Sequence, residues 1–291
     1  MITEKQLKER TKHLGSSDIA ALFNLDPFKN ASDVWVSKTF ETEKKDVENK
    51  SMTSGIRWEP YLIEWAGNEL CCKPIVDPDM LWFICEAHPI FASNLDAFYL
   101  DPETGNPTII EAKKTRLWAE WGEQGTDQMP HRVNLQVHTQ MLCTGFNTVY
   151  VAAMIQGEEQ LFKVNRDERI IRAIIETGEK FWNNHVLTKV PPVDCEPAKL
   201  EFLKRIRREP ETWAEVSDEL VSQWEQAKEA EAEAKKKADL AQRSLLTALG
   251  DAEGSILSDY RELTYFQQER PEHVVKASKC RVLRIRKGNE Q

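Results

Sequence analysis

Asp96, in the run Ser93-Asn94-Leu95-Asp96-Ala97-Phe98, and the tripeptide Glu111-Ala112-Lys113 are the residues of this chain best suited to chemistry. The tripeptide closes the apolar run Thr108-Ile109-Ile110, which reads as a strand. Strand side chains alternate between faces, so Glu111 and Lys113 are expected on one side and Ala112 on the other. Asp96 belongs to a β-like run of its own, Phe91 to Leu100. Two carboxylates and an ammonium converging across neighbouring strands can hold a divalent cation on hard oxygens and set a lysine beside an attacking water. That is phosphodiester chemistry. Taken alone, the pattern also fits a solvated hairpin face, because 30% of the chain is charged.

Three further groups add to it. Glu59, in Gly55-Ile56-Arg57-Trp58-Glu59-Pro60, offers a helix carboxylate as a third oxygen ligand; the alternative is an exposed helix residue. Gln136 and Gln140 stand at i, i+4 spacing, which puts both amides on one helix face. Such amides can hold a phosphate oxygen or a water, or simply make a polar face. Arg10 with Ser16-Ser17 at a helix start combines a guanidinium, hydroxyls and backbone N–H groups into an anion pocket. The alternative is a plain N-cap beside a surface arginine. His88, His131 and His138 share no metal-ligand spacing, and His138 is expected on a different helix face from the glutamines. The nine Trp read as core rather than as a base-stacking platform.

The elements that must position these residues follow from periodicity. Ile19 to Phe23 reads as a short helix capped by Ser16 or Ser17 and ending near Asp26-Pro27. Ser32 is expected to cap a second helix, Glu41 to Ser51 reads as a loop or frayed end, and Thr53 to Leu70 is a helix. Strands are expected over Lys73 to Val76, Leu81 to Cys85, Phe91 to Leu100 and Thr108 to Lys113. The last two flank a turn rich in Pro, Gly and Asn. A helix from His131 or Val133 to Cys143 stops at Gly145. Strands Thr148 to Ile155 and Gln160 to Val164 come next, then a helix from Asp167 to Val186. The fold class is α/β (α+β), a mixed central sheet flanked by helices. After Pro191-Pro192 the composition shifts, and Glu215 to Leu249 reads as a long solvated helix or coiled-coil arm ended by Gly250 and Gly254. Ser255 to Lys287 reads as a small basic β unit with strands at Tyr260 to Phe266 and Arg281 to Arg286. The domains are therefore drawn as 1–190, 191–254 and 255–291, with no internal repeat.

Composition narrows the classes. Hydrophobic residues make up 41% of the 291, enough for a real core. The six cysteines show no CxxC spacing, which argues against zinc-finger and iron–sulfur readings and for buried free thiols in a reducing compartment. No window is long enough for a membrane span and the first residues lack a signal-peptide pattern, so the chain reads as cytosolic. The net charge of −9 argues against a uniformly basic surface and leaves room for a locally basic groove.

The stretches Arg10 to Asp18, Gly55 to Pro60, Ser93 to Ala97, Ile110 to Thr115 and Leu135 to Met141 occur in the order of the YqaJ-type viral recombinase family, lambda-exonuclease-like members of the PD-(D/E)xK nuclease superfamily. The resemblance spans residues 10 to about 190. It implies a restriction-endonuclease-like core in which Asp96 and Glu111 are the main metal ligands, with the Ala112 carbonyl and Glu59 completing the set. Lys113 would orient or deprotonate the water, and Gln136 is the glutamine of the following helix. Arg10 and Ser17 would receive a 5′-terminal phosphate, and Gln140 is assigned to DNA. The implied cofactor is Mg²⁺, with Mn²⁺ able to substitute. The implied activity is 5′→3′ digestion of double-stranded DNA ends in a bacterial host cell, leaving 3′ single strands for an annealing protein. A homo-oligomer is among the implied partners; a membrane is not. Leu95 replaces the superfamily's Pro, Ala112 a bulkier aliphatic, and His138 a second Gln. The helical arm and tail have no counterpart in lambda exonuclease. The alternatives are another nuclease of the superfamily, an endonuclease or a RecB- or Cas4-like enzyme, and a non-catalytic protein that binds DNA ends or a partner.

Overall fold

A computed structural model of the chain describes residues 9–42 and 50–267. The chain divides into two compact units, one through Arg208 and one from Glu209.

In the first unit, β5 (Pro107–Thr115) lies between β4 (Ala97–Leu100) and β6 (Thr148–Ile155), and β7 (Glu158–Asn165) closes the sheet. β4 and β7 run antiparallel to their neighbours, whereas β5 and β6 are parallel. A parallel pair needs a crossover, and the chain supplies α4 (His131–Thr144) between them. Gly145 ends α4 at φ 75°, returning its N–H to the Met141 carbonyl, a left-handed cap that suits a residue without Cβ.

The sheet is apolar on both faces because both are covered. Ile109, Val149, Val151, Ala153 and Phe162 pack with Val133, Val137 and Met141 of α4. Ile110, Ala152 and Met154 pack on the opposite face with Leu62, Ile63 and Ala66 of α3 (Lys50–Glu69). Pro60 sits inside α3 and removes one helical N–H, which releases the Ile56 carbonyl one turn earlier.

A second sheet has β3 (Phe91–Asn94) at its centre, parallel to β1 (Leu14–Gly15) and antiparallel to β2 (Trp82–Ile84). It packs with α1 (Ile19–Leu22), α2 (Ala31–Thr39), α4 and α5 (Glu168–Phe181). Buried Ile171, Ile174, Gly178 and Phe181 form one stripe of α5. Gly178 is there because a Cβ would stand 2.4 Å from the Phe91 ring.

Several expectations change. Phe91 to Leu100 is not one strand: it breaks at Leu95-Asp96, and its halves join different sheets. Lys73 to Val76 contributes only a bridge from Ile75 to Phe98. α2 is capped by Asn30 rather than Ser32, through a reciprocal box in which the Asn30 side chain accepts from the Asp33 N–H and the Asp33 carboxylate from the Asn30 N–H. α1 is preceded by Asp18 and takes no side-chain cap from either serine. The helix starting at Glu168 turns into a π turn at Trp182–Val186. Residues 195–208 strap onto α2, with the Lys199 N–H donating to Asp33 at 2.7 Å and Ile206 buried. Cys85 and Cys143 are buried free thiols, whereas Cys71 is exposed.

The first unit ends with the short helix α6 (Leu200–Leu203) and the residues up to Arg208, and the second holds α7 (Asp218–Leu249), capped by Ser217, and a hairpin of β8 (Gly254–Ile256) with β9 (Glu262–Thr264). α7 has no buried residue, as expected of a solvated helix. Gly254, expected to help end that helix, opens β8 instead. The expected strand Arg281 to Arg286 and most of Glu41 to Ser51 lie outside the described residues. Among the described residues no helix is long and apolar enough to cross a membrane.

Candidate active site

The β4–β5 ladder ends at Ala97 opposite Ile110. Two residues further along β5, the Ala112 N–H has lost its strand partner, and the Asp96 carboxylate takes it at 2.9 Å. A backbone donor that the ladder would leave unpaired thus fixes the aspartate. In a strand the N–H and C=O of one residue point the same way, so the Ala112 carbonyl also faces the side that β4 has vacated.

The alternation expected along β5 is present. Ala112 packs toward α3, and Glu111 and Lys113 share the α4 side. Glu111 is 1% exposed, and a carboxylate so buried needs donors for both oxygens. Lys113 Nζ and Gln136 Nε2 donate to Oε1 at 2.5 and 2.6 Å, and Gln140 Nε2 donates to Oε2 at 2.5 Å. Gln140 is fully buried behind Glu111 rather than presented to the cleft.

The cleft, about 440 Å³, is lined by Asp96, Glu111, Ala112, Lys113, Glu59 and Gln136, and also by Arg10 and Ser17. Burial raises the Asp96 carboxyl well above its ordinary pKa, and the Glu111 charge raises it further. Burial and Glu111 likewise raise Glu59. Burial opposes charge on Lys113, but Glu111 and Asp96 outweigh it and the ammonium is held above its ordinary pKa. The site is thus short of positive charge around Asp96 and Glu59.

That shortage, with an all-oxygen donor set, fits a hard divalent cation in kind. Among the described residues, no three His, Cys, Asp or Glu side chains stand close enough to hold an ion as they are. Glu111 is turned instead to its lysine and glutamines.

Arg10 forms a 3₁₀ turn with Lys12, and the Arg10 carbonyl accepts from Lys38 Nζ at 2.8 Å. Ser17 is exposed in the cleft, whereas Ser16 is buried and its hydroxyl accepts from that of Ser93. Behind them lies a feature with no signal in the sequence. Asp18 sits between Lys29 Nζ at 2.7 Å and Lys38 Nζ at 2.8 Å. Burial would raise the Asp18 carboxyl, but the two lysines hold it far below the ordinary range. His138 is buried, its Nδ1 against the Asn134 carbonyl at 2.9 Å, and burial lowers its pKa. It does not line the cleft.

The chain is 23% identical over 277 residues to the uncharacterised protein YqaJ of Bacillus subtilis, covering 90% of this chain and 82% of that one. Its fold is similar to that of the alkaline exonuclease LHK-Exo of Laribacter hongkongensis, with a TM-score of 0.51, 15% identity and coverage of 65% of this chain and 94% of that one. LHK-Exo in complex with dAMP gives a TM-score of 0.52 at 16% identity, over 70% and 97% of the two chains. Residues 5–147 match the model of the YqaJ-like viral recombinase domain. The five motifs and the cleft they build lie within those residues, so over 5–147 the chain is similar to the YqaJ-like viral recombinase domain.

Proposed function

We propose that the chain is a metal-dependent 5′→3′ exonuclease acting on double-stranded DNA ends, leaving 3′ single strands for an annealing partner. The observation that carries this is one cleft in which Asp96 is held by the Ala112 N–H and Glu111 by Lys113, Gln136 and Gln140, with Arg10 and Ser17 on the same wall. The family match and the likeness to an exonuclease fold support the same reading.

Asp96, Glu111, Glu59 and the Ala112 carbonyl would hold Mg²⁺, or Mn²⁺ in its place. When bound, the ion supplies positive charge to the phosphate oxygens and acidity to water. Lys113, paired with Glu111 at 2.5 Å, would orient or deprotonate the attacking water and stabilise charge on the phosphate. Gln136 holds Glu111 from α4. Arg10 and Ser17 offer charge-assisted and hydroxyl donors to a terminal phosphate, so that the end of the strand sets where it is cut.

The test is digestion of linear and covalently closed duplex DNA with Mg²⁺ and with chelator. Linear DNA should be degraded only with the metal, the closed circle should survive, and Lys113→Ala should abolish digestion with an unchanged circular dichroism spectrum. Full activity of that variant, or equal cutting of the circle, would overturn the reading.

A further inference from the structure

Trp58 immediately precedes the cleft residue Glu59, and Lys114 immediately follows Lys113 at the edge of the cleft. Lys114 alternates with Lys113 along β5 and so projects toward α3. There its Nζ stands 4.9 Å from the centre of the Trp58 ring and donates to the Ser54 hydroxyl at 2.7 Å. Tyr61, one turn on, meets the Trp58 ring edge-on at 5.5 Å.

These contacts do not bury the pair. Trp58 remains 36% exposed and Tyr61 44% exposed. Together with Lys114 and Arg116 they line a surface depression of about 650 Å³. The acid beside it, Glu159, is engaged by the Tyr61 hydroxyl at 2.6 Å. Lys114 lines both this depression and the cleft, so the two surfaces are continuous.

We infer that this surface binds single-stranded DNA, holding unpaired nucleotides of the strand that enters the cleft. Exposed aromatic rings offer stacking to bases, and Lys114 and Arg116 offer charge to the intervening phosphates. A duplex keeps its bases stacked inside and cannot use the rings, so the surface selects unpaired strand. The cations also form a local basic patch on a chain whose net charge is −9, which favours nucleic acid over a basic protein partner. The inference rests on the nuclease reading for its substrate, but its test does not require cutting.

The full chain is titrated, with chelator present, into a fluorescently labelled oligothymidylate and a blunt duplex of equal length, following anisotropy. Trp58→Ala should weaken oligothymidylate binding about 10-fold and leave duplex affinity nearly unchanged. Trp58→Phe should retain most of the affinity. Arg116→Ala should weaken binding and lower the slope of log affinity against log salt by about 0.7. Arg116 is exposed, so that variant reads the surface even if Trp58→Ala fails to fold. Unchanged oligothymidylate affinity in Arg116→Ala, or in a folded Trp58→Ala, or no oligothymidylate binding by the wild type, overturns the inference. A chain that binds the oligonucleotide through these residues but digests nothing in Mg²⁺ retains the surface and loses the nuclease reading.

Discussion

At the scale of the residue, the site stores unfavourable charge. Asp96 ionises only at a pH above its ordinary value, because it is buried beside Glu111. The folded state then binds more protons than the unfolded state between the two values, so stability falls as pH rises through that window. We expect Asp96→Asn, which keeps an acceptor for the Ala112 N–H, to melt at a higher temperature than the wild type in metal-free buffer. The difference should be larger at pH 7.5 than at pH 4 and should come with loss of digestion. An equal or lower melting temperature at pH 7.5 would count against this account of the charge. A second expectation concerns Arg10. If it receives the terminal phosphate, Arg10→Ala should narrow the rate gap between 5′-phosphorylated and 5′-hydroxyl ends, and an unchanged gap excludes that role. Much of this was legible in the chain, because Glu111 and Lys113 follow from strand alternation alone. The position of Gln140 was not: i, i+4 spacing says that two amides share a face, not which of them is buried against a carboxylate. Nor was the Asp18–Lys29–Lys38 cluster, whose members are brought together by tertiary packing.

At the scale of the element, the break at Leu95-Asp96 is what sets the site. Residues Phe91 to Leu100 contain no Gly or Pro, and only the strand-averse Asn94 and Asp96 mark locally the point where the chain passes from one sheet to the other. The break is dictated by which partners each half finds, β1 and β2 for the first and β5 for the second. The first half is held from behind by α5, where Gly178 lets the helix approach Phe91. Gly178→Ala gains about 1 kcal/mol of helix propensity. It also forces a methyl group into the fully buried Phe91 ring, which costs about 1–3 kcal/mol. Overpacking should win, giving a net loss of up to about 2 kcal/mol in urea unfolding. A stabilised variant would show that α5 can retreat without cost.

At the scale of the whole molecule, the first compact unit runs past the composition change at Pro191-Pro192 and on to Arg208. The reason is physical: Asp33 needs the Lys199 N–H, and Ile206 is buried. A chain ending at Arg208 should unfold in a single cooperative transition. One ending at 190 should be less stable by about 3–6 kcal/mol, from one lost apolar side chain and a hydrogen bond to a charged acceptor. Equal stability of the two in a denaturant titration would show the strap to be incidental. The same strap also carries a consequence in time. Asp33 is synthesised 166 residues before the donor that completes its hydrogen bonds. At about 5–20 residues per second, the ribosome leaves that carboxylate waiting for roughly 8–30 s. The nascent chain therefore presents the residues of its cleft well before the segment that secures α2, and this interval is when a chaperone would find it.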